Sequence, residues 1–106
     1  MNLAEVAGKA ADLMATYGHV KCTAQDDEGR MCIGGAVSMA LTGDAYGAWQ
    51  SDDFWEVLQN AGEILFERGA VKAADCSIPV WWNNRPETTE GEVIALLRET
   101  ARRLGS

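Results

Sequence analysis

The apolar positions of the first seventeen residues follow one rhythm. Leu3, Val6, Ala7, Ala10, Leu13, Met14 and Tyr17 recur at intervals of three and four, which places their side chains on one stripe of an α-helix. Asn2 stands where a cap accepts from the first free backbone N–H groups, and Gly18 where the helix can stop in a left-handed turn. A second block, residues 32–41, puts Cys32, Ile33, Ala36, Val37, Ala40 and Leu41 at helical spacing, with Gly43 as its stop. Gly34 and Gly35 inside that block each cost a helix about 1 kcal/mol against alanine, so their presence predicts close approach by another backbone. Residues 51–68 predict a third helix: Phe54, Leu58, Ala61 and Leu65 share a face, Trp55, Val57 and Ile64 widen it, and Gly69 ends it. Its start carries Asp52, Asp53 and Glu56, acids that suit the positive end of a helix dipole. The last helix opens on Thr89, Glu90, Gly91 and Glu92, the spacing of a capping box. Val93, Leu96, Leu97, Ala101 and Leu104 form its apolar stripe, and Arg98, Arg102 and Arg103 fall toward its negative end.

Two stretches lack such a period. Residues 19–31 read as a short extended segment and a polar turn over 25–30, where Gly29 suits a positive φ, so an irregular hairpin is predicted. Residues 70–88 show neither helical periodicity nor alternation and read as a long arm. Within an extended arm the adjacent Trp81 and Trp82 point to opposite sides, one toward the core and one toward the surface. The expected fold is mainly α: a single domain over residues 1–106, with about four helices, an irregular hairpin after the first and a long arm before the last.

Composition narrows the class. At 106 residues, 47% hydrophobic and 24% charged with two prolines, the chain is of ordinary globular make-up. Sixteen acidic residues against nine basic ones leave a net charge of -7, which argues against binding nucleic acid or an anionic membrane through bulk charge and favours neutral or basic partners. No run approaches the roughly 18–20 apolar residues of a membrane span. The first ten residues lack the pattern of a secretory signal, and three irregularly spaced cysteines suit a reducing compartment, so a cytoplasmic location is expected.

Three sets of residues could carry chemistry. His19 stands three positions before Cys22, which suggests a thiol–imidazole pair, although no third group that would orient the ring can be named from the sequence. His19, Cys22, Cys32 and Cys76 together form a Cys3His zinc set in chemical type, but only His19 and Cys22 are closely spaced, and Cys32 reads as a small buried core residue. Residues 1–92 hold fifteen acids and six bases while 93–106 hold one acid and three bases, an imbalance that suggests an acidic mimic of nucleic acid or, more plainly, a solvated surface. There is neither a phosphate-binding glycine loop nor a GxSxG motif. The most unusual segment is Trp81, Trp82, Asn83, Asn84 and Arg85, since exposed tryptophan and arginine are the residue types that dominate interface energetics. Both rings packing beneath the arm, with the asparagines bonding loop backbone, is the plainer alternative.

Residues 26–36, DDEGRMCIGGA, and 82–97, WNNRPETTEGEVIALL, resemble a family of small proteins of unknown function from actinobacteria and their phages. That family's pattern has an acidic turn before Gly-Arg-x-Cys-x-x-Gly-Ala, and later Trp-Asn-Asp followed by an Arg-Thr-x-x-Glu-Val helix start. Asn84 stands here where the pattern carries an acid. The resemblance implies no reaction and no cofactor; it implies a phage or prophage origin, where proteins of this size act by binding a host protein. The expected function is therefore a non-catalytic protein-binding module with Trp81, Trp82, Asn83, Asn84 and Arg85 as its contact surface and a host protein as partner. Nucleic-acid mimicry and a zinc or thiol protein remain the alternatives, and self-association through the arm is open.

Overall fold

The computed structural model describes residues 1–105. Five helices follow in order: α1 (Leu3–Tyr17), α2 (Ile33–Thr42), α3 (Asp52–Glu67), α4 (Ile78–Asn83) and α5 (Glu90–Gly105). The chain is mainly α, and no strand occurs among the described residues. No helix among them is long and apolar enough to cross a membrane.

The helix starts follow from local chemistry. Asn2 caps α1 by accepting from the Glu5 N–H at 2.8 Å while Glu5 Oε1 accepts the Asn2 N–H at 3.1 Å, satisfying two donors that an α-helix leaves orphaned. At α5 the Thr89 N–H reaches Glu92 Oε1 at 2.9 Å and the Glu92 N–H reaches Thr89 Oγ1 at 3.2 Å, so that predicted capping box is formed. Glycine closes α1 at Gly18 (φ 99°) and α2 at Gly43 (φ 80°), where a Cβ would be strained.

The core gathers one face from each long helix: Val6, Ala10 and Met14 from α1, Ile33 and Val37 from α2, Phe54, Leu58 and Leu65 from α3, Val93, Leu96 and Leu97 from α5. α1 packs on α5 and α2, and α3 packs on all three and on α4. Tyr17, expected on the buried stripe of α1, is 55% exposed, because α1 ends there and its ring lies beside Gly29 of the loop. Cys32, expected inside the second helix, is instead its N-cap, with extended backbone and Sγ accepting from the Gly35 N–H at 3.4 Å.

The hairpin after α1 is a loop held by isolated bridges that pair Met31 with both His19 and Gln25. The arm departs from expectation, since residues 78–83 form α4. Asp75 Oδ1 accepts from the N–H and the hydroxyl of Ser77, turning the chain just ahead of that helix. Pro79 costs nothing at its first turn, where an N–H would have no intrahelical partner. Six residues make under two turns, too few for apolar periodicity to register. Trp81 and Trp82 still diverge, but through helical rotation rather than strand alternation: Trp82 is 4% exposed and Trp81 57%.

Candidate functional site

Asn83 organises the surroundings. Fully buried at the end of α4, its Oδ1 accepts from the Ile33 N–H at 3.1 Å, and its Nδ2 donates to the Val20 carbonyl at 3.3 Å and to Asn84 Oδ1 at 3.0 Å. A backbone donor on one side and a backbone acceptor on the other fix which way the amide faces. His19 Nε2 lies 2.8 Å from the same Oδ1 and must therefore carry the proton that it donates. Asn84 in turn accepts the Cys22 N–H at 2.8 Å. One dipeptide thus joins the loop after α1, the start of α2 and the end of α4. No buried side-chain nitrogen or oxygen among the described residues lacks a partner.

Beside this junction lies an open pocket of about 500 Å³. Trp49, Phe54 and Trp55 line it from the start of α3 and the residues before it, Val80 and Trp81 from α4, and Cys22 and Cys32 from the loop and the α2 start. The aromatic wall is ordered by its own contacts: Trp49 stacks on Phe54 with ring centroids 6.2 Å apart, Phe54 meets Trp55 edge to face at 4.7 Å, and Trp55 Nε1 donates to the Trp49 carbonyl at 2.9 Å. At the α2 start the backbone comes unusually close: a Cβ on Gly35 would sit 2.0 Å from the Ala24 carbonyl oxygen. Gly35 therefore meets the predicted backbone approach, whereas Gly34 meets only side chains at ordinary contact distance.

The thiols are unlike one another. Cys32 is 6% exposed, and burial pushes its thiol above the ordinary value, outweighing the N–H groups of Gly35 and Gly34 that favour a thiolate. Cys22 is exposed and holds a positive φ of 66°, a region few residues other than glycine adopt.

The sequence-predicted residues separate into two roles. Trp81 is exposed on the pocket wall, with the Arg85 guanidinium 5.8 Å from its ring centroid. Trp82 and Asn83 are buried and support the site from behind, and Asn84 ties down the Cys22 loop. Arg85 is anchored by Glu87 at 3.2 Å and by Thr88 Oγ1 at 3.4 Å. The Cys3His set is not assembled: among the described residues no group of three or more His, Cys, Asp or Glu side chains is placed to hold a metal ion. Nor is the thiol–imidazole pair; the structure supplies the orienting group that the sequence could not name, Asn83, but joins His19 to no cysteine by a hydrogen bond. The apolar pattern gives Trp55 to the face of the third helix and gives Trp49 no role, and only folding brings both to the pocket that Trp81 lines.

Residues 1–103 match the model of a family described as Family of unknown function (DUF6197). The chain belongs to that family. The match takes in both stretches that carried the resemblance, residues 26–36 and 82–97, and these are the stretches that meet at Asn83 and Ile33. No curated protein and no solved structure matches the chain. The family's description names no reaction or ligand, so function is argued from the pocket.

Proposed function

We propose that the protein is a non-catalytic protein-binding module that takes an apolar side chain of its partner into the pocket between Trp49 and Trp81. One observation carries this reading: two tryptophans, 55% and 57% exposed, flank a pocket of about 500 Å³ lined mainly by apolar groups. Large exposed rings around a cleft mark interaction sites rather than solvated surface, and tryptophan and arginine supply most of the energy where proteins meet. Arg85 over Trp81 helps to hold that ring in place, which lowers the entropy lost on binding. The resemblance to actinobacterial and phage proteins supports a host protein as the partner and the cytoplasm as the place of action. The mimicry alternative draws less support, because Asp26 and Glu28 of its first acidic patch face Arg30 and Glu67 of its second pairs with Arg103, and a charge array gives no account of the apolar pocket.

A peptide-display selection tests the reading. Peptides enriched on the native protein and lost on Trp49→Ala and Trp81→Ala variants, both shown folded by circular dichroism, are the expected result. Enrichment that both variants retain, or none at all, would overturn it.

A further inference from the structure

The charges of this chain are distributed in a way that bears on what enters the pocket. Between Arg30 and Arg68 there is no lysine or arginine, while Asp44, Asp52, Asp53, Glu56, Glu63 and Glu67 fall within that stretch. Among the described residues half of the acids away from the pocket, Asp12, Asp26, Glu28, Glu67, Glu87 and Glu99, are paired with the chain's own cations. Those beside it are not: Asp52, Asp53 and Glu56 are exposed and enter no ion pair. They belong to the first two turns of α3, the turns that also carry Phe54 and Trp55 into the pocket wall. On a helix, positions three and four apart are surface neighbours, so Asp52 adjoins both Trp55 and Glu56. Asp75, also exposed and without an ion pair, stands two residues before Ser77, which lines the pocket. Lys21 and Arg85, the latter over the Trp81 ring, already have partners of their own. Lys21 Nζ donates to the carbonyls of Arg85 and Pro86, and Arg85 pairs with Glu87.

Resting on the protein-binding reading, we infer that the partner presents a cationic segment: an apolar anchor side chain flanked by lysine or arginine, with the anchor in the pocket and the flanking cations opposite Asp52, Asp53, Glu56 and Asp75. Opposed charge around an apolar anchor raises the encounter rate and rejects acidic competitors more than it adds affinity. The helix dipole accounts for Asp52 and Asp53 in the first turn of α3 without any partner; its effect falls off beyond that turn, so it does not account for Glu56.

Three capped synthetic peptides of equal length decide it, titrated into the full chain with amide chemical shifts as readout. The first carries a central leucine flanked by lysines, the second the same leucine flanked by glutamates, and the third the lysines with glycine in place of leucine. The first should bind about tenfold more tightly than the second at low salt, with the gap closing near 0.5 M salt, and it should outbind the third at any salt. An Asp52→Asn, Asp53→Asn, Glu56→Gln variant should lose that advantage, binding the first peptide more weakly and the second more tightly than the native protein does. If the first two peptides bind equally and the triple variant changes nothing, the charge inference fails while the pocket reading stands. Equal binding of the first and third also overturns it, since charge alone would then suffice. If none of the three moves a pocket resonance, the inference and the reading beneath it fail together.

Discussion

A single buried amide does the joining at the centre of this protein. Asn83 meets two backbone groups, His19 and Asn84, so its removal leaves the buried Ile33 N–H and the half-buried Val20 carbonyl without this partner, at about 1–3 kcal/mol for the buried group and less for the other. Asn83→Ala should destabilise the fold by about 3 kcal/mol in urea unfolding, while Trp81→Ala, on the exposed neighbour, should change stability by less than about 0.5 kcal/mol. The same scale governs the thiols. Iodoacetamide should modify exposed Cys22 well before Cys32, whose thiol is buried and held protonated; mass spectrometry of the time course reads the order, and early modification of Cys32 would contradict the packing described. The sequence offered loop backbone as a partner for the asparagines but not which groups, because His19, Val20 and Ile33 lie fifty to sixty-four positions from Asn83. What the residues did disclose was local: the Asn2 and Thr89 caps, the glycine stops, and Gly35 as a place where another backbone passes.

Among the elements, the long helices announced themselves through periodicity and caps, and the short one did not. α4 spans six residues and is held by the Asp75–Ser77 turn and by burial of Trp82, neither of which leaves a repeating pattern. Gly62 in α3 belongs to the same relation: a Cβ there would lie 2.5 Å from the Asp75 carbonyl oxygen, so the arm passes directly over α3, yet one glycine in a good helical pattern gave no sign of it. Trp82→Ala should cost about 3–5 kcal/mol by leaving a void beneath α4, and heteronuclear relaxation should then show residues 70–88 loosened. The cap of α5 gives a pH-dependent expectation. The Thr89 N–H and hydroxyl hold Glu92 below its ordinary carboxylate value, so the folded state binds this proton less readily than the unfolded chain. Its contribution is full above the ordinary value and is lost as pH falls through the lowered one. Glu92→Gln should therefore flatten part of the acid-side decline of the thermal midpoint, and Thr89→Ala should cost about 1 kcal/mol at neutral pH.

Across the whole molecule, the helical core serves to bring residues from separate elements to one open face. The linker before α3 supplies Trp49, α3 supplies Phe54 and Trp55, α4 supplies Trp81, and the loop after α1 supplies Cys22. The mainly α class was legible because four long amphipathic stretches leave little else for the chain to build. The pocket was not, since it depends on how those stretches meet. Binding at that face is the central claim, and the tryptophan indole N–H resonances report on it most directly. On titration with a peptide selected on the native protein, the indole signals of Trp49 and Trp81 should shift together, while that of core-packed Trp82 moves least. Shifts concentrated on residues 26–30 or on α5, with the Trp49 and Trp81 indoles unmoved, would contradict the account.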